Sequence, residues 1–152
     1  MRAWRIGKAC VVSDLTGAGA AQYGGRWNHP NHPALYLGLS TAGCALDTVM
    51  LAGHVPCLPL KLIELHLPDN PALYHEPDPQ QLPPDWNALP ADKASMDFGT
   101  AWLEETGHLG LILPSATTDQ TRCLMVNPKH PAMAQVKILE SSDFIYGLTR
   151  AR

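Results

Sequence analysis

What this 152-residue chain has little of narrows its function early. Charged residues make up 16% of it and the formal charge is −3, so no basic surface is available to track a phosphate backbone, and nucleic acid is not expected as a direct ligand. Long apolar runs are missing as well. No stretch reaches the roughly eighteen residues of a membrane span, and the opening Met1-Arg2-Ala3-Trp4-Arg5-Ile6 has no secretory leader core. A cytoplasmic protein is the expectation, with no membrane partner. The cysteines Cys10, Cys44, Cys57 and Cys123 form no Cys-x-x-Cys pair, which suits neither a zinc site nor a secreted disulfide framework and leaves buried free thiols. His29 and His32 each precede a proline in one rigid loop rather than sharing a helix face, and no metal is expected. Also absent are the phosphate-cradling Gly-x-x-x-x-Gly-Lys loop, the Gly-x-Ser-x-Gly elbow and the His-Glu-x-x-His pair.

What is present suffices for one well-packed domain over residues 1–152. Hydrophobic residues are 45% of the chain, and a chain of about 150 residues buries roughly two thirds of its unfolded surface. Residues 3–12 read as an opening strand or two, and 34–38 as a short buried strand. Between them, residues 17–33 hold four of the twelve glycines and an Asn/His/Pro cluster, which predicts a long structured loop of the kind that carries function. Ser40 caps a helix over 41–52 with Gly53 at its end, and that helix is apolar on almost all sides, so most of it should be buried. Residues 58–67 alternate as a strand, and 68–92, with half of the fourteen prolines, read as an irregular connection. A second helix over 92–106 and strands over 109–113, 122–126 and 135–139 complete a mixed sheet with few helices, an α+β domain.

The chemistry-bearing features cluster early. In Gly24-Gly25-Arg26-Trp27-Asn28 two glycines let the backbone approach a ligand closely, and they present a guanidinium whose planar fork suits a diphosphate, with an aromatic face beside it. Taken by itself, Arg26 in a lone Gly-Gly-Arg reads as a structural ion-pair residue. Asp47 is the only charge in the helix 41–52. It either lies on a narrow solvated stripe with Gly43 and Thr48 or points into a cleft, where its charge needs a partner such as an arginine from the preceding loop. Tyr36 reads as core and Ser115 as a turn former or helix cap.

The order of the pieces adds to this. Gly24-Gly25-Arg26-Trp27-Asn28, then Pro33-Ala34-Leu35-Tyr36-Leu37, then a helix with Ala45-Leu46-Asp47-Thr48-Val49, then Leu113-Pro114-Ser115-Ala116, then Asn127-Pro128-Lys129-His130-Pro131 resembles the RES-domain toxins of bacterial toxin–antitoxin pairs over nearly the whole chain. That resemblance implies an ADP-ribosyltransferase-like α+β fold that takes NAD as its substrate. Its arginine, acid and serine fall on Arg26, Asp47 and Ser115, and its active-site tyrosine on Tyr36. The NAD-binding set it implies is Gly25, Arg26, Trp27, Asn28, Tyr36, Ser115 and Asn127. The expected reaction is cleavage of the nicotinamide–ribose bond by water or phosphate, with transfer of ADP-ribose to a protein as the alternative. The expected partner is an Xre-like helix-turn-helix antitoxin, in a homodimer or a larger toxin–antitoxin complex. One departure stands out: Asp47 replaces the family's glutamate, one methylene shorter, which opens a third reading as a weakened NAD- or partner-binding module.

Overall fold

The computed structural model describes residues 1–52 and 59–147. Among the described residues seven strands form one sheet: β1 (Arg2–Lys8), β2 (Leu35–Gly38), β3 (Leu60–His66), β4 (Tyr74–His75), β5 (Gly110–Pro114), β6 (Arg122–Val126) and β7 (Lys137–Phe144). Their order is β4-β5-β6-β2-β1-β3-β7, antiparallel throughout except for the parallel β4–β5 pair, so the first strand of the chain lies inside the sheet. Three α-helices accompany it, α1 (Ala18–Tyr23), α2 (Thr41–Ala52) and α3 (Lys93–Glu105).

Period-two alternation divides the apolar residues between two faces. Leu35, Leu37, Leu124 and Val126 point to one face, where they pack with Ile63, Leu65 and Leu109 in the larger core. Their neighbours Tyr36 and Met125 point to the other, with Leu111 and Leu113, and meet Trp102 and Leu103 of α3 together with Trp27. Farther along that second face α2 seats Cys44 against Ile6 and Leu60. Two covers, α2 and the α3 side, thus share one face of the sheet with a gap between them.

Helix α3 comes unusually close to the glycine-rich loop. A Cβ built on Gly99 would lie 1.8 Å from the carbonyl oxygen of Trp27, so only glycine permits this contact. His29 and Thr100 extend it, through a bond from the His29 backbone N–H to Thr100 Oγ1 and one from His29 Nε2 to Asp97 Oδ1 at 2.6 Å.

Several sequence expectations are revised. The segment 17–33 is not all loop: the run Ala18-Gly19-Ala20-Ala21-Gln22-Tyr23 forms α1, and its exposed end carbonyls are taken by Asn28 Nδ2 at Ala20 and by the Asn31 N–H at Ala21. Helix α2 has its expected bounds but not its expected burial, because Leu46 and Met50 are 42% and 50% exposed. Residues 68–92 are not wholly irregular, since Tyr74–His75 adds an edge strand beside β5. Gln135 belongs to a 3-10 turn, and β7 runs on to Phe144. Cys44 is buried and Cys123 half-buried, but Cys10 is exposed. Gly53 and Cys57 lie outside the described residues.

Candidate active site

The gap between the two covers is a cavity of about 870 Å³, within the usual size range of small-ligand sites. Its walls come from the end of α1 and the glycine-rich loop (Tyr23 to Trp27), from β2, from α2 through Cys44, Asp47 and Thr48, from the proline-rich connection at Leu89 to Ala91, and from the end of β5 at Pro114 to Thr117. Arg26, Tyr36, Asp47 and Ser115 all line it, and so do Gly25 and Trp27. Asn28 and Asn127 do not.

Asp47 points into this cleft. Its partners are hydroxyls rather than an arginine: Ser115 Oγ donates to Oδ1 at 2.8 Å and Thr117 Oγ1 donates to the same oxygen at 2.5 Å. The strand-to-turn exit at Pro114 brings both hydroxyls over the helix, and the Thr117 N–H donates to Ser115 Oγ at 3.1 Å to fix the turn. Ser115 is 5% exposed, so its hydroxyl serves the carboxylate before any ligand.

Arg26 reaches the cavity from the opposite loop. Nη1 donates to the carbonyls of Trp86 and Ala88 at 3.0 and 2.7 Å, while Nη2 is buried with no hydrogen-bond partner among the described residues. Burial pulls the guanidinium pKa down, and Cys123, Tyr36 and Asp47 push it back up. An unsatisfied buried donor costs about 1–3 kcal/mol, so this nitrogen is poised for an acceptor.

The rest of the pentapeptide is scaffold. The Tyr36 hydroxyl donates to Asn28 Oδ1 at 2.6 Å and accepts the Trp27 N–H at 3.1 Å, and burial drives its pKa up strongly. Its hydroxyl is thus engaged within the protein on both sides. Asn28 is fully buried, and its Nδ2 spans the carbonyls of Ala20, His29 and His32. Gly25 leaves room for this hub, since a Cβ there would lie 2.8 Å from Asn28 Oδ1 and 2.9 Å from the Tyr36 hydroxyl. Trp27 is 1% exposed, stacked on Trp86 at 6.0 Å and edge-on to Phe98 at 5.9 Å, so the aromatic face expected for a ligand is used internally. Asn127, equally buried, donates to the Leu103 carbonyl and accepts the Lys129 N–H, which ties β6 to α3.

Two lining residues escaped the sequence reading. Arg5 also borders the cavity, with its guanidinium held on the carbonyls of Val12 and Asp14. Thr117 carried one usable signal, a Ser-x-Thr pair just after the proline that ends a strand. Among the described residues no cluster of His, Cys, Asp and Glu could hold a metal ion, and no helix is long and apolar enough to cross a membrane.

Fold and site together define a small α+β protein in which a hydroxyl-bound carboxylate and a guanidinium face one cleft. More narrowly, the chain belongs to the RES-domain family, whose model, described as RES domain, matches residues 2–147. It is 36% identical to the protein Toxin Res of Yersinia enterocolitica over 79% of this chain and 78% of that one. It is 33% identical to the Prs ADP-ribosylating toxin of a Sphingobium species over 94% and 92%. Among solved structures, a chain of the M. tuberculosis MbcT–MbcA toxin–antitoxin complex superposes with a TM-score of 0.76 over 98% of this chain and 86% of that one. At 23% identity that likeness concerns the fold.

Proposed function

We propose that this chain is the toxin of a toxin–antitoxin pair, and that its cleft takes NAD and breaks the nicotinamide–ribose bond. The observation that carries the reading is Asp47, a carboxylate fixed by two hydroxyls in the same cavity as a guanidinium with an unspent donor. When the bond between the anomeric carbon and nicotinamide breaks, its electron pair leaves with nicotinamide, which becomes neutral, and positive charge builds on the ribose. A fixed carboxylate beside the sugar stabilises that charge, as in glycoside cleavage. An oxygen of water or phosphate then bonds to the anomeric carbon and releases its proton. Arg26 supplies charge and donors to the diphosphate, and the Tyr36 ring offers a face or edge to nicotinamide.

A second reading, transfer of ADP-ribose to a protein acceptor, is favoured by the Sphingobium relative, whose name is that of an ADP-ribosylating toxin. An antitoxin partner follows from the toxin relatives and from the toxin–antitoxin complex that shares the fold. The resemblance makes it an Xre-like helix-turn-helix protein, one that brings the DNA binding a chain of charge −3 lacks.

The test is incubation of the purified chain with NAD, with and without phosphate, following nicotinamide and labelled ADP-ribose. Release of nicotinamide by the wild type and its loss by at least about a hundredfold in Asp47→Asn is the expected result. Label on a protein acceptor selects the second reading. An inert wild type that gains turnover as Asp47→Glu would sink the proposal and leave a weakened binding module.

A further inference from the structure

The shortened carboxylate raises the question of what holds it, and the cavity contains an answer outside the arginine, acid and serine that name the family. We propose that Thr117 is a positioning residue for Asp47: its hydroxyl and that of Ser115 clamp Oδ1, so that Oδ2 is the oxygen presented to the substrate.

The contacts form a closed set. Ser115 Oγ and Thr117 Oγ1 both donate to Oδ1, and the two hydroxyl oxygens lie 2.8 Å apart. Each hydroxyl carries one proton, so an ionised Asp47 takes both and leaves none for the contact between them. Ser115 Oγ is satisfied instead by the Thr117 N–H at 3.1 Å. Thr117 therefore enters twice, through its own hydroxyl on Oδ1 and through its backbone on Ser115. No described residue donates to Oδ2, although Asp47 lines the cavity. Anchoring one oxygen from the far side of the cleft fixes the rotamer of a side chain that has one methylene fewer with which to reach the sugar. Displacement by about 1 Å in such a site can cost a hundredfold in rate.

A merely structural threonine and a positioning one respond differently to substitution. Removing the hydroxyl releases Oδ1 on one side and frees the carboxylate to leave its rotamer, so the chemical step slows while ground-state binding of the substrate is left in place.

For its kinetic arm the proposal rests on the NAD-cleaving reading. The experiment compares wild type, Thr117→Val and Thr117→Ser, with Thr117→Ala in place of valine if valine does not fold. In Thr117→Val, kcat should fall about ten- to a hundredfold while KM for NAD stays within about threefold. Thr117→Ser, which keeps the hydroxyl, should restore kcat. An unchanged kcat in Thr117→Val, or a KM that rises as steeply as kcat falls, overturns the proposal, and so does a serine variant as impaired as the valine one. If the wild type cleaves no NAD, that reading fails by itself. The χ1 rotamer of Asp47, read from three-bond couplings by NMR in labelled protein, then decides: one rotamer in the wild type that becomes averaged in Thr117→Val supports the clamp, and the same single rotamer in both overturns it.

Discussion

Arg26 divides its guanidinium between the fold and the cavity. Nη1 braces the proline-rich connection through Trp86 and Ala88, whereas Nη2 is enclosed with no hydrogen-bond partner among the described residues. On the proposed function, Arg26→Ala should weaken NAD binding by roughly ten- to a hundredfold, the worth of a charge-assisted hydrogen bond, and Arg26→Lys should recover only part of that because an ammonium cannot brace two carbonyls and a phosphate together. Calorimetric titration with NAD measures this, and equal affinity in all three proteins would take Arg26 out of the site. Of the four residues read as catalytic from sequence, all line one cavity, yet their side chains are deployed unevenly. Arg26 and Asp47 stand out in the sequence because Gly-Gly-Arg and a lone acid in an apolar helix are chemically conspicuous, whereas Tyr36 and Ser115 enter only through the family resemblance. The spending of the Tyr36 hydroxyl on Asn28 was not legible there, because it depends on a contact between a strand and a loop whose path the sequence leaves open.

Elements with a strong local pattern are those the sequence discloses. Helix α2, with Ser40 before it, and strand β6 fall on their expected residues. Strand β4 does not show, because two residues pairing with distant Gly110 and Leu111 carry no period of their own. Nor does the exposure of Leu46 and Met50, since an apolar helix surface looks the same whether it lies on a core or at the rim of a cleft. The junction of α3 with the glycine-rich loop is the most tightly specified element contact. Gly99→Ala would drive a methyl group into the Trp27 carbonyl, so α3 must lift, at a cost of about 3 kcal/mol or more. Denaturant unfolding should show that loss, whereas Gly107→Ala, where nothing lies within 4 Å of the added Cβ, tests whether loss of a glycine alone matters.

For the whole molecule, acid stability should depend on the same junction. His29, first of all, and then Lys93 hold the Asp97 carboxyl below its ordinary 3.8 by hydrogen bonding its charged form. A depressed folded-state pKa contributes stability at all pH above 3.8, and that contribution disappears as pH falls through the lower folded value. Asp97→Asn should therefore melt below wild type near neutrality, with the two melting curves converging in acid; a gap that persists or widens in acid would exclude the assignment. The placement of the first strand also bears on the order in which the molecule can be made. Strand β1 is flanked by β2 and β3, but β2 finds its second partner only in β6, and Asp47 meets its two hydroxyls only once residues 115 and 117 exist. A ribosome emits about 5–20 residues per second, so for several seconds the emerging chain carries its arginine and its acid without the turn that orients them. The cleft is therefore completed late relative to the strands that frame it, only after residues 115 and 117 have emerged and folded back over α2.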